Sequence, residues 1–309
     1  MGRSSHSAEL IGRRLVQPEQ ASDLGVPTTS RQGRPSFICE FARNRAAVVG
    51  VLVLSVIVGA AVFGPHMTPY DPLAATPYGQ LLPPSQAHPF GTDELGRDVL
   101  ARMVYGASLT LQVGFIAVGI AVTIGILLGL PAGYFGGWVD MLVMRAVDVL
   151  LAFPAVLLAL SIVSLLGASL RNAMVAIGIS VIPVYVRLVR ASVLSAREQP
   201  YVEAARVVGV RHIQIMFGHI LPNILAPVVV VATLGVGGAI IVGAALSFLG
   251  LGAQPPQPEW GAMVTIGSQY IQIAWWMSVF PGVAISATVL AINLVGDGLR
   301  DALDPRLTA

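Results

Sequence analysis

Few residues in this chain of 309 are placed to make or break bonds. All 18 basic residues are Arg, so a phosphate-binding loop of the GxxxxGK[ST] type is absent, as are HExxH and GxSxG. The five His, at positions 6, 66, 88, 212 and 219, fall in tails or loops, and no cluster of His, Cys, Asp and Glu lies in an apolar run to line a metal path. Cys39 is the one cysteine, which excludes an internal disulfide and a CxxC site and reads as a small hydrophobe at a membrane edge. What stands out instead is a polar insert at 201–223, YVEAARVVGVRHIQIMFGHILPN, with Glu203, Arg206, Arg211, His212, Gln214 and His219. The uncharged run before it ends at Arg187, and the next charged residue after it is Glu259. An insert of this kind is a loop between membrane spans. Pro200 suits a first helical turn, Gly209 suits a break between two short helices, and Pro222 can open the following span.

The elements that must position this loop follow from composition. Hydrophobic residues make up 55% of the chain and charged ones 11%, with a mean hydropathy of +0.77, which marks an all-α integral membrane protein. A net charge of +2 is too small to argue for nucleic acid. Residues 1–36, rich in Ser, Gly, Gln, Pro and Arg, read as a mobile tail. Six spans are expected: 46–64, 108–130, 140–166, 172–186 extended by Arg187 and Arg190, 223–246, and 276–295. The first run is long enough to span rather than to be a cleaved signal. Arg145 and Asp148 can pair near the start of the third span. A lone mid-bilayer charge costs ~2.5 to 3.5 kcal/mol on insertion scales, so a structural pair is favoured over a transport path. In the fifth span Thr233 and glycines 235, 237 and 238 permit close helix approach.

Between the first two spans lies a Pro-rich segment that ends in Gly91-Thr92-Asp93-Glu94, read as a helix start. Asp93 to Arg97 and Asp98 to Arg102 then form i,i+4 pairs, with Leu95, Val99 and Met103 on the opposite face. This predicts a helix along the membrane surface or, on the same physics, a solvated one. Trp260, Trp275 and Trp276 suit an interfacial belt at the outer face. Polar residues from Gly296 to Arg306 read as a short tail.

Glu203-Ala204-Ala205, three residues, Gly209, nine residues, then His219-Ile220-Leu221-Pro222 resembles the EAA loop of ABC importer permeases, which docks into the ATPase subunit. His219 stands where many members carry Ile. Two alanines keep one helix face thin enough to enter a groove, Gly209 lets the chain turn, and Glu203 offers a charge at the rim. FGTDELGRDVLARMVYGASLTL, LSFLGLGAQPPQPEW and the ending at 296–306 are similar to C-type permeases of the dipeptide/oligopeptide/nickel importer family.

Arginine placement gives the orientation independently. Of the 18, only Arg97, Arg102 and Arg171 lie on the side opposite the tail, the 131–148 turn, the 201–223 loop and the C-terminus, which places both termini in the cytoplasm. The resemblance implies that the last five spans form a type I importer core. It divides the chain into a cytoplasmic tail (1–36), a first helix with external segment (37–107), a permease core (108–296) with its coupling loop at 201–222, and a C-terminal tail (297–309). It also implies a multi-pass subunit of the bacterial inner membrane and a second permease of the B type. Two ATPase domains that hold ATP and Mg complete it, with an external substrate-binding protein that delivers di- or oligopeptides to an outer mouth. This chain is then not itself an enzyme and holds no cofactor. Glu203, Ala204, Ala205, Gly209, Leu221 and Pro222 are the expected coupling residues. A nickel or other small-ligand importer of the same family is the alternative. An ion-coupled secondary transporter would leave the EAA pattern unexplained, and no inverted repeat is visible.

Overall fold

In the computed structural model, residues 41–303 are described. The expected tail at 1–36, Cys39 and residues 304–309 lie outside them. Helix α1, Arg45–Met67, is capped by Asn44, whose side chain accepts from the Ala47 amide at 3.1 Å. Helix α2, Val99–Phe135, is capped by Asp98, which accepts from the Ala101 amide at 2.7 Å. Next come α3, Gly137–Leu151, α4, Ala155–Leu166, and α5, Leu170–Arg197. Short α6, Pro200–Val207, precedes α7, His212–Phe248, which passes through a π-helical segment at Ile215–Ile220. Helices α8, Trp260–Ser268, and α9, Trp276–Leu303, complete the described chain. Among the described residues the only β pairing is a single bridge between Thr92 and Asp98.

Helices α1, α2, α5, α7 and α9 are each long and apolar enough to cross a membrane, and α3 with α4, bent by 87° at the break between them, is apolar enough to make a sixth if the pair is one span. The bend corrects the expected straight third span. Pro154 sits at ψ 132°, outside helical space, and its ring disfavours a helical conformation at Phe153 before it.

Close approaches fix which ends lie together. A Cβ on Gly133, near the end of α2, would meet Val193 and the Arg190 carbonyl near the end of α5. Gly125 and Gly129 meet Tyr185, Val186 and Val189 the same way, so α2 and α5 run parallel along a seam of small residues. Asn44 Nδ2 donates to Asp301 at 3.0 Å, which joins the start of α1 to the end of α9. Both ends of the described chain therefore lie at the same face as the loop around α6. The core falls into three apolar clusters: a central one between α2, α5 and α7, one beneath α6, and one at the opposite face built on Val99, Trp260, Met263 and Trp276.

Charges are paired differently from the sequence reading. Asp148 pairs with Arg187 of α5 at 2.8 Å rather than with Arg145, and Asp140 pairs with Arg190. Helix α5 presents its arginines across the interface, where a partner costs no helical turn of its own. The surface helix expected from residue 91 is a turn, and α2 begins at Val99. Asp93 Oδ1 accepts from the backbone of Leu95 and Arg97, both at 2.9 Å, and its Oδ2 from Arg97 Nε at 2.6 Å. The carboxylate thus caps a tight turn in place of a helical one. Asp98 caps α2 and meets His88 Nδ1 at 2.8 Å, while Arg102 reaches Asp93 at 3.3 Å and the Pro72 carbonyl at 3.0 Å. Leu95 is exposed where Val99 is buried, so they share no face. Of the three tryptophans, Trp275 is exposed, but Trp260 and Trp276 are internal, donating to the Met103 carbonyl at 2.8 Å and the Thr92 carbonyl at 3.0 Å. The polar ending continues α9 as helix to Leu303.

Candidate functional site

The loop from Arg197 to Asn223 is built outward from buried apolar contacts. Pro200 occupies the first turn of α6, and Glu203 lies in that turn near the positive end of the helix dipole. Val202 is fully buried, packed with Leu130 and Tyr134 of α2, Val189 and Val193 of α5, and Ile215 and Ile220 of α7. Through it α6 joins the apolar cluster at the ends of three spans. Helix α6 ends with the Val208 and Gly209 amides donating to Ala204 and Arg206, and the Val210 amide to the Ala205 carbonyl at 3.0 Å. Gly209 takes φ +80°, the left-handed region in which a Cβ is strained, so glycine is required by conformation although no atom crowds it.

Beyond the turn, α7 starts at His212. Its π-helical segment turns Ile215, Met216 and Ile220 inward. A π segment re-aims side chains within a helix, and here it leaves Ile213 and Phe217 outside while their neighbours stay buried. Leu221 packs half-buried against the cluster under α6, Pro222 is exposed, and Asn223 Nδ2 donates to the His219 carbonyl at 2.6 Å.

The expected site residues thus divide in two. Glu203, Ala204 and Gly209 are exposed on the outer surface of the loop and Ala205 is half-buried beside them. Leu221 and Pro222 stand on α7 past the π segment, Leu221 half-buried against the cluster and Pro222 exposed. Around the exposed set, Val207 and Val208 are each 82% exposed and Ile213 69%. Arg206 and Arg211 flank them, and a depression of about 790 Å³ is lined by Arg211, His212, Ile213, Gln214, Phe217 and Gly218. An apolar ridge with a charged rim over a buried base has the chemistry that protein-docking surfaces use.

Residues that no motif pointed to hold this surface in place. Tyr134 is buried in the last turn of α2, its hydroxyl 2.8 Å from His212 Nδ1, and the Arg206 guanidinium stands 5.3 Å above its ring. Arg197 Nη1 donates to the Gly133 carbonyl at 3.0 Å. For Val202 the apolar side of a short amphipathic helix was a usable signal; for Tyr134 there was none.

At the opposite face the segment before α2 is pinned by charge. Arg97 bridges Asp93 and Glu94, at 2.6 and 2.8 Å. Among the described residues Glu94 Oε2 is buried without a hydrogen-bond partner. Burial first, and the neighbouring Asp93 charge second, push the Glu94 carboxyl above the usual glutamate range against the pull of Arg97 and Arg102. A cleft of about 250 Å³ opens between this segment, the 247–257 turn and α8. Glu259 caps α8 through the Gly261 and Ala262 amides, both at 2.9 Å, and accepts from Thr110 at 3.2 Å. No group of three metal-ligating side chains occurs among the described residues.

Comparison with known proteins matches this architecture. Residues 125–309 match the family described as binding-protein-dependent transport system inner membrane component, and residues 37–84 match the N-terminal TM domain of oligopeptide transport permease C. The dipeptide transport system permease protein DppC of Alkalihalophilus pseudofirmus is 50% identical, over 87% of this chain and 88% of that one. The di/tripeptide transport system permease protein DppC of Pseudomonas aeruginosa is 48% identical, over 88% and 91%. The glutathione transport system permease protein GsiD of Pectobacterium atrosepticum is 44% identical, over 92% and 94%. In fold, the chain is similar to the inward-facing MetNI methionine ABC transporter, at a TM-score of 0.51 and 22% identity, over 66% of this chain and 97% of that one. With its bundle of apolar spans and both segments matched, the chain belongs to the family of binding-protein-dependent transport system inner membrane components, as a C-type permease.

Proposed function

We propose that this chain is the C-type transmembrane half of an ATP-driven importer for di- or oligopeptides, working with a B-type permease, two ATPase domains and an external binding protein. The observation that carries the reading is the loop at α6. An exposed apolar ridge with Glu203 on its rim is anchored through Val202 to the ends of α2, α5 and α7. A push on such a surface moves three spans at once, which is what coupling to an ATPase requires. ATP and Mg belong to the partner subunits, whose closing favours one of two packed arrangements of the spans. Glu203, Ala204, Ala205 and Gly209 make the docking contact, while Leu221 and Pro222 brace it from α7. The concentration of Arg at the loop's face supports a cytoplasmic placement of that face and of both termini, in the inner membrane of a bacterium. The peptide substrate is supported by the relatives named for dipeptide transport.

The test is purification of the tagged chain from its native membrane, identification of what stays bound, and reconstitution of that assembly in vesicles. Recovery of a second permease and ATPase subunits, with ATP-dependent uptake of a labelled dipeptide in the presence of the binding protein, is the expected result. A chain that emerges alone or as a homo-oligomer, with uptake driven by an ion gradient, overturns it.

A further inference from the structure

The two helices of the loop at α6 meet at a glycine joint. Gly209 sits at the joint with open space around it, and the backbone bonds that close α6 reach no further than Val210. What both helices touch in common therefore helps to set the angle. Besides their mutual contacts and the packing around Val202, both meet one polar side chain of α2. Tyr134 of α2 meets α6 through the Arg206 guanidinium over its ring and α7 through its hydroxyl at His212 Nδ1. His212 is the first residue of α7, and its ring also lies 6.0 Å from Phe135, edge-on. Tyr134 itself does not yield, because it is buried and its neighbour Gly133 is held by Arg197 from the end of α5.

Resting on the importer reading above, we infer that Tyr134 is the positioning residue of the coupling loop, a two-point latch that makes α6, the start of α7 and the end of α2 move as one body. It touches neither nucleotide nor peptide. Its role is to pass displacement of the docking surface into α2 without slack at Gly209. Loss of one latch point leaves the loop docked but lets it swing, so ATP is spent without the spans changing over. Tyr134→Phe removes the hydroxyl contact and keeps the ring beneath Arg206, whereas Tyr134→Leu removes both.

The experiment uses the whole reconstituted importer with its binding protein, and reads peptide taken up per ATP hydrolysed. A latch point bonded as strongly as an ordinary net hydrogen bond shifts a two-state balance on the order of fivefold, so Tyr134→Phe should lower the ratio by about that factor. Tyr134→Leu should lower it further, with ATP hydrolysis maintained in both. A residue serving stability alone would reduce the yield of assembled complex and its melting temperature while leaving the ratio in surviving complexes at the wild-type value. That result for Tyr134→Phe overturns the inference. So does a fall confined to Tyr134→Leu, which would reduce the latch to one point. If Tyr134→Leu fails to assemble, Tyr134→Phe decides alone. Failure of the wild-type assembly to link uptake to ATP would instead strike the importer reading and is seen in the control.

Discussion

At the scale of single residues, exposure separates the groups proposed to act on a partner from those that hold the fold. Glu203 is exposed on the proposed docking face with its backbone in the first turn of α6, so reversing its charge changes the surface and little beneath it. Glu203→Lys is expected to leave the chain inserted and stable but to weaken ATPase binding about tenfold, the scale of one misplaced interfacial charge. Co-purification of the ATPase across a salt series measures this, and retention equal to wild type would remove Glu203 from the contact. Glu94 lies at the other extreme. Its carboxyl is raised by burial and by Asp93, so the folded segment binds a proton more readily than the unfolded chain does. Its contribution is fully present below the pH at which an unfolded glutamate titrates and is lost as pH rises through the raised folded value. Glu94→Gln keeps an oxygen for Arg97 and removes the charge. It should make the protein more stable at neutral pH and flatten the stability profile across the range just above the ordinary glutamate value, as followed by thermal unfolding at several pH values. A profile of unchanged slope would show that the charge is not strained.

At the scale of elements, helix packing depends on where side chains are missing. A Cβ on Gly129 would lie 2.8 Å from the Val186 carbonyl and 2.9 Å from Val189 Cβ, whereas one on Gly119 meets nothing within 4 Å. Gly129→Leu should therefore force α2 from α5 and destabilise the assembly by at least the ~1–3 kcal/mol of an overpacked core, while Gly119→Leu on the outward face is close to neutral. Melting of the purified complex compares the two, and equal effects would refute the seam. The sequence made the apolar runs and the EAA spacing readable because both are local: period, length and residue type suffice. Three features were not readable, and each for a physical reason. Phe153-Pro154 lies within apolar sequence, so nothing in its polarity announces the 87° bend. Acid-to-base spacing of four fits a helical turn, but Asp93 uses it to cap a tight turn whose other half is the backbone of residues 95–97. Asp148 had Arg145 three residues away, yet pairs with Arg187 on another helix, and Tyr134 meets a residue 78 positions later. Partners chosen across helices carry no signature in spacing.

At the scale of the whole molecule, the bent pair decides the topology. Helix α2 ends and α5 ends at the same face, because Arg197 reaches Gly133, so the chain from 136 to 169 must cross to the other side to begin α5 again. Counting α3 with α4 as one crossing gives six, an even number. The start of α1 and the end of α9 then share a face, as the contact between Asn44 and Asp301 requires. Among the described residues, all arginines but Arg97, Arg102 and Arg171 fall at that face, and the positive-inside rule supports the proposed cytoplasmic placement of it. The assignment can be read directly. In a Cys39→Ser background, Tyr78→Cys places a thiol at a side chain 99% exposed in the segment before α2, and Val208→Cys places one on the docking ridge. A maleimide that does not cross membranes should label Tyr78→Cys in intact cells and Val208→Cys only after the membrane is opened. Labelling of Val208→Cys from outside would turn the loop away from ATP and remove the physical basis for coupling through α6, whatever the family. Labelling of both from outside would contradict the packing of the α6 loop at the end of α2, which sets Tyr78 and Val208 at opposite faces.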